Sequence, residues 1–114
     1  MYGDFLMGNT NKIVILVTAS NKKEAEIIAK LLIEERLAAC VNIVPTISSI
    51  YSWEGKVHHE NESLMLIKTT RDMFDHVNEK VEAIHSYDTV EIISLEITQG
   101  STKYLQWIDQ SIKN

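Results

Sequence analysis

Residues 36–70 read RLAACVNIVPTISSIYSWEGKVHHENESLMLIKTT, and this stretch decides the fold. Glu54-Gly55 stands between two extended segments, and glycine supplies the positive φ of a tight turn at little steric cost. The pattern predicts a hairpin folded back at Trp53-Glu54-Gly55-Lys56. One arm runs from Leu37 to Val44 and past Pro45 to Trp53, and the other from Lys56 to Thr70. With Glu54-Gly55 as the loop, Ser52 faces Val57, Tyr51 faces His58 and Ile47 faces Glu62. Arms of this length exceed the usual strand of about 5–6 residues. Two helices of a small domain do not cover them, so the excess is expected to pair with another chain along its edge.

Upstream, the β-branched run Lys12-Ile13-Val14-Ile15-Leu16-Val17-Thr18 predicts a strand buried on both faces. Ser20-Asn21 offers a helix N-cap, with Glu24 as a capping-box partner three residues after Asn21. The helix is expected from about Lys22 to Arg36, with Ala25, Ile28, Ala29 and Leu32 as its inner stripe. Downstream, the second hairpin arm ends in the apolar run Leu64-Met65-Leu66-Ile67. A second helix opens at Thr70 or Asp72 and carries Phe74, Val77, Val81 and Ile84 at helical spacing. In Val90–Thr98, Ile93, Leu95 and Ile97 alternate with Ser94 and Glu96, the pattern of a half-buried strand. A short terminal helix spans Thr102 to about Ile112. The order βαββαβ plus a terminal helix is the α+β, ferredoxin-like arrangement of an antiparallel sheet. Right-handed crossovers give the strand order 4-1-3-2. Both helices of that fold pack on one face. A central strand that is apolar on both sides therefore needs a second cover, and a neighbouring subunit is the economical one.

The 114-residue chain has the size of one domain. Residues 12–114 are read as that domain, and residues 1–11 as a flexible N-terminal extension. Its net charge of −5, without a Lys/Arg run, argues against a nucleic-acid partner. No segment approaches the roughly 18 apolar residues of a membrane span, and the leader lacks the cationic start of a signal peptide. One cysteine, Cys40, excludes an internal disulfide framework and fits a reducing, cytoplasmic setting.

Phosphate loops, paired-cysteine metal motifs and nucleophile elbows are missing from the sequence, so no enzyme is expected. Alternation sends His58, Glu60 and Glu62 to one face of the hairpin arm, where a histidine with two carboxylates suits a divalent ion; a solvated polar arm is the plainer reading of the pattern. His76, among Asp72, Asp75 and Glu79, reads as a surface residue. The richer cluster is His85-Ser86-Tyr87-Asp88-Thr89-Val90-Glu91. A loop from helix into strand brings imidazole, phenol and carboxylate together, a set able to bind a metal or small ligand or to move a proton. The plainer alternative has His85 capping a helix C-terminus.

Glu35–Asn42, Ser49–Lys56, Leu66–Thr70, the His85–Glu91 loop and Tyr104–Ile108, taken in order, resemble the CutA divalent-cation tolerance family. The similarity runs from about Lys12 to Lys113. It implies a homotrimer with the architecture of PII-like signalling proteins, in which long hairpins pair between subunits. It further implies a role in divalent metal ion tolerance, with copper or a small ligand bound in intersubunit clefts lined by His85, Tyr87 and Glu91. In the copper site of bacterial members, a strand-one cysteine joins the histidine and glutamate of an HPYxxPE loop. His85 and Glu91 match that pair as metal ligands, while Val17 stands at the cysteine position, and Ser86 and Val90 replace the prolines. A PII-like signalling or scaffold module acting through protein partners is the competing expectation.

Overall fold

A computed structural model describes residues 10–112. Strand β1 spans Lys12–Ala19, helix α1 Lys22–Glu34, strand β2 Cys40–Trp53 and strand β3 Lys56–Thr70. After a single 3-10 turn at Arg71–Met73 come helix α2, Phe74–Ile84, strand β4, Ile92–Glu96, and helix α3, Thr102–Ser111. The sheet order is β2-β3-β1-β4, and every pairing is antiparallel. This is the α+β, ferredoxin-like arrangement and strand order that the sequence predicts. Of the expected N-terminal extension, residues 1–9 lie outside the described residues. Asn11 accepts a hydrogen bond from the Arg71 N–H at 3.0 Å.

The hairpin closes where the sequence places it. Glu54 and Gly55 have φ values of 52° and 78°, the paired left-handed residues of a type I′ turn, whose twist matches that of the strands. Ser52 faces Val57, Tyr51 faces His58 and Ile47 faces Glu62. Nearer the body the register shifts by one residue between Val44 and Ile47. Pro45 has no N–H to give to a ladder, so a bulge there leaves no donor orphaned. The Pro45 carbonyl accepts the hydroxyl of buried Ser63 at 2.6 Å.

Helix α1 begins at Asn21, whose side chain accepts the Glu24 N–H at 2.9 Å. The reciprocal bond of a capping box does not form, because the Glu24 carboxylate turns to Ser20. The helix ends at Glu34 rather than Arg36, because Arg36 adopts φ 57°. Its N–H donates to the Ile33 carbonyl, and the Leu37 N–H donates to Leu32, the two bonds of a Schellman termination. Glycine usually holds that position. Arginine here extends its guanidinium to the carbonyls of Gln110, Ser111 and Ile112 and satisfies the end of α3.

Ala25, Ile28, Ala29 and Leu32 of α1 and Met73, Val77 and Val81 from the second helical segment cover one sheet face. They pack on Ile13, Ile15, Val17, Met65 and Ile67. The second stripe is narrower than its spacing predicts, since Phe74 is half-buried and Ile84 exposed. Cross-strand partners share a face, so Val14, Leu16, Leu64, Leu66, Ile93 and Leu95 line the opposite side. Helix α3 covers part of it. Its Asp109 pairs with Lys12 at 3.1 Å, Tyr104 lies beside Cys40, and Ile108 is buried. The rest is open, with Ile93 50% and Leu95 53% exposed. The alternation in β4 thus runs opposite to a half-buried strand of this chain alone: the apolar set faces outward, and Ile92 faces the core.

Candidate functional site

The loop between α2 and β4 is held from three sides. The His85 N–H closes the last turn of α2 on Val81 at 2.9 Å, and the residue then turns extended at ψ 148°. That conformation carries the ring inward rather than along the helix axis, and the side chain is buried. Its Nε2 meets the Thr18 carbonyl at 2.8 Å, and its Nδ1 accepts the Tyr87 N–H at 3.0 Å. A carbonyl requires a donor and an amide requires an acceptor, so the network assigns the neutral tautomer protonated at Nε2. Both nitrogens are therefore engaged with backbone. The rings of His85 and Tyr87 lie 4.7 Å apart at 53°.

Glu24 braces the same loop from the start of α1. One carboxylate oxygen accepts the N–H and hydroxyl of Ser20 at 2.9 and 2.8 Å. The other accepts the Ser86 N–H at 2.8 Å and lies 3.9 Å from His85 Nδ1. Burial by itself raises this carboxyl, but the hydrogen bonds from Ser20 and Ser86 outweigh burial and hold it at about 2. Sequence reading assigned Glu24 to the cap of its own helix. Its partner at Ser86 is 62 residues away, a pairing without local signature.

Tyr87 carries the network to the hairpin, where its hydroxyl donates to Glu62 at 2.9 Å. Burial, with the neighbouring Glu62 carboxylate, pushes this phenol well above the usual tyrosine range. Two positions along β3, Glu60 accepts the Tyr51 hydroxyl at 2.8 Å. Tyr51 also stacks on His58, with ring centroids 5.4 Å apart. Each tyrosine thus fixes one oxygen of a glutamate. The shared face of His58, Glu60 and Glu62 follows the predicted alternation, but only the two glutamates border a cavity. His59 turns to the other face and meets Ser48 at 2.5 Å, while His76 is exposed on α2.

Between the hairpin and the loop lies a cleft of about 470 Å³. Tyr51, Trp53, Glu60, Glu62, Tyr87, Asp88 and Glu91 line it. The structure therefore brings Tyr87 and Glu91 to one cavity and puts His85 behind its wall. Val17 lies in the helix-side core, fully buried, and does not line the cleft. Among the described residues, no three His, Cys, Asp or Glu side chains converge as a metal-binding group. A metal at His85 has to displace one of the ring's two backbone partners. Within one chain the donor set is carboxylate oxygen, which suits hard divalent ions better than soft Cu(I). Among the described residues, no helix is long and apolar enough to cross a membrane.

A family model for the CutA1 divalent ion tolerance protein matches residues 13–111. The chain is 47% identical over 102 residues to "Protein CutA, chloroplastic" of Arabidopsis thaliana, an alignment covering 90% of this chain and 56% of that protein. It is 47% identical over 98 residues to the divalent-cation tolerance protein CutA of Thermus thermophilus, covering 86% and 95%. Among solved structures, the periplasmic divalent cation tolerance protein CutA of Archaeoglobus fulgidus superposes with a TM-score of 0.87. That match has 42% identity and covers 90% of this chain and 99% of the other. The chain thus spans about half of the Arabidopsis relative and nearly all of the Thermus one.

Proposed function

Since this chain belongs to the CutA1 divalent ion tolerance family, we propose that it works as a homotrimer binding divalent cations or a small ligand in clefts between subunits. The observation that carries the reading is the open sheet face. Leu16, Leu64, Ile93 and Leu95 share it, β4 leaves it half exposed, and the acidic cleft lies at its edge. Removing such an apolar face from water favours association. The hairpin arms, of 14 and 15 residues, give further backbone edge to pair.

In this reading Glu91 and Glu62 supply oxygen donors, Tyr87 holds Glu62, and His85 sets the loop. His85 and Glu91 are also the two positions matching the family's copper pair, and they are the ligands to test for copper. The protein acts by binding, not by turnover, and its single cysteine supports a reducing, cytoplasmic setting. A PII-like scaffold role has one supporting observation, the exposed Ile50, Trp53 and Val57 near the hairpin tip.

Sedimentation tests the assembly, and calorimetric titration with Zn(II) and Cu(II) tests the cleft. The wild type is expected to sediment as a trimer, and Leu95→Glu to dissociate. Metal affinity is expected to fall in Glu91→Gln and His85→Ala. A folded monomer at micromolar concentration refutes the assembly, and unchanged affinity in both variants removes these residues from the site.

A further inference from the structure

The cleft is far larger than a bare metal ion needs. At about 470 Å³ it falls within the roughly 300–1,000 Å³ of small-molecule sites and has room for many waters of about 30 Å³ each. Three of its walls are aromatic, from Tyr51, Trp53 and Tyr87, and Trp53 is half exposed at its mouth. Its charge is of one sign. Glu60, Glu62, Asp88 and Glu91 line it, and no Lys, Arg or His lies among its described lining residues. These carboxylates are spread around the cavity instead of converging on one point. Tyr51 and Tyr87 each occupy one oxygen of Glu60 and Glu62, and among the described residues the other oxygen takes no hydrogen bond. Chelating a point charge calls for converging donors. Spread carboxylates between aromatic faces suit a diffuse cation on a carbon body, held by charge-assisted hydrogen bonds and by attraction to ring faces.

We propose that the cleft binds a small organic ammonium ion, its charged head between Glu60 and Glu62 and its carbon body against Tyr51 and Trp53. This inference rests on the reading of the cleft as a ligand site and names the class of ligand it takes. Metal ions and the ammonium share the carboxylates, so the two compete.

The test uses the full chain. Trp53 and Trp107 are its two tryptophans, so a Trp107→Phe background makes fluorescence report from the cleft. Benzylammonium chloride is titrated beside benzyl alcohol, its uncharged counterpart, and zinc chloride alone is followed by calorimetry. Benzylammonium is expected to change Trp53 emission and to bind at least about tenfold more tightly than the alcohol. Glu62→Gln is expected to weaken it by about tenfold. Glu60→Gln provides the second variant should Glu62→Gln fold poorly. Equal binding of amine and alcohol, or an amine affinity unchanged in both variants, overturns the proposal. Zinc binding without benzylammonium binding also overturns it, and leaves the cleft reading standing. Binding of neither overturns both.

Discussion

Replacing Glu24 by glutamine removes a charge that three hydrogen bonds hold in place, and the structure sets both the size and the pH window of the loss. The side chain is 15% exposed. Its carboxylate accepts from Ser20 N–H, Ser20 Oγ and Ser86 N–H at 2.8 to 2.9 Å. These bonds hold the folded carboxyl at about 2, against 4.5 for an ordinary glutamate. A folded value below the unfolded one means stabilisation is complete above pH 4.5 and is lost as pH falls toward 2. That interval corresponds to about 3 kcal/mol. Glutamine keeps one carbonyl oxygen but sets an N–H against an N–H donor, so one contact is lost outright. Denaturant unfolding at one fixed protein concentration is the assay, since association shifts apparent stability. At pH 7 the variant is expected to be less stable by about 3 kcal/mol. The gap should close between pH 4.5 and 2, with amide exchange at Ser86 and Tyr87 accelerated at neutral pH. A gap that stays constant across that window, or that is missing at pH 7, refutes the assignment of Glu24 as the brace.

Three further outcomes follow from single contacts. Tyr87→Phe removes the donor to Glu62 and is expected to cost about 1–3 kcal/mol below pH 10; because the phenol is raised, the wild-type advantage declines progressively as pH climbs from 10 toward the raised folded value, and ultraviolet titration should show the variant missing a late-ionising tyrosine. Arg36→Ala removes the guanidinium from the end of α3 and places alanine at φ 57°. Arg36→Gly should recover about 1 kcal/mol of that loss while α3 amides still exchange fast; protected α3 amides in the glycine variant would count against the cap. At Gly55, φ is 78° and an added Cβ meets nothing within 4 Å, so Gly55→Ala should cost only backbone strain of about 1 kcal/mol, and a much larger melting shift would point to a contact made there in the assembly.

What the sequence alone determined is whatever repeats over short distances. Glu54-Gly55 fixed the turn, and the turn fixed the pairing of Ile47 with Glu62, because a two-residue loop allows one register. The apolar stripe of α1 and the strand order followed from periodicity and chain handedness. Tertiary structure decided the rest of the site. The sequence reads His85 as a metal or ligand group or as a cap at a helix C-terminus, but one extended ψ turns its ring toward Thr18 and uses both nitrogens. The outward apolar set of β4 depends on its pairing with β1, which its own alternation cannot specify. Glu24 with Ser86 and Tyr87 with Glu62 join residues far apart in the chain. Local backbone sterics write turns and periods into neighbouring residues, whereas a contact between distant side chains exists only once the sheet has set their separation.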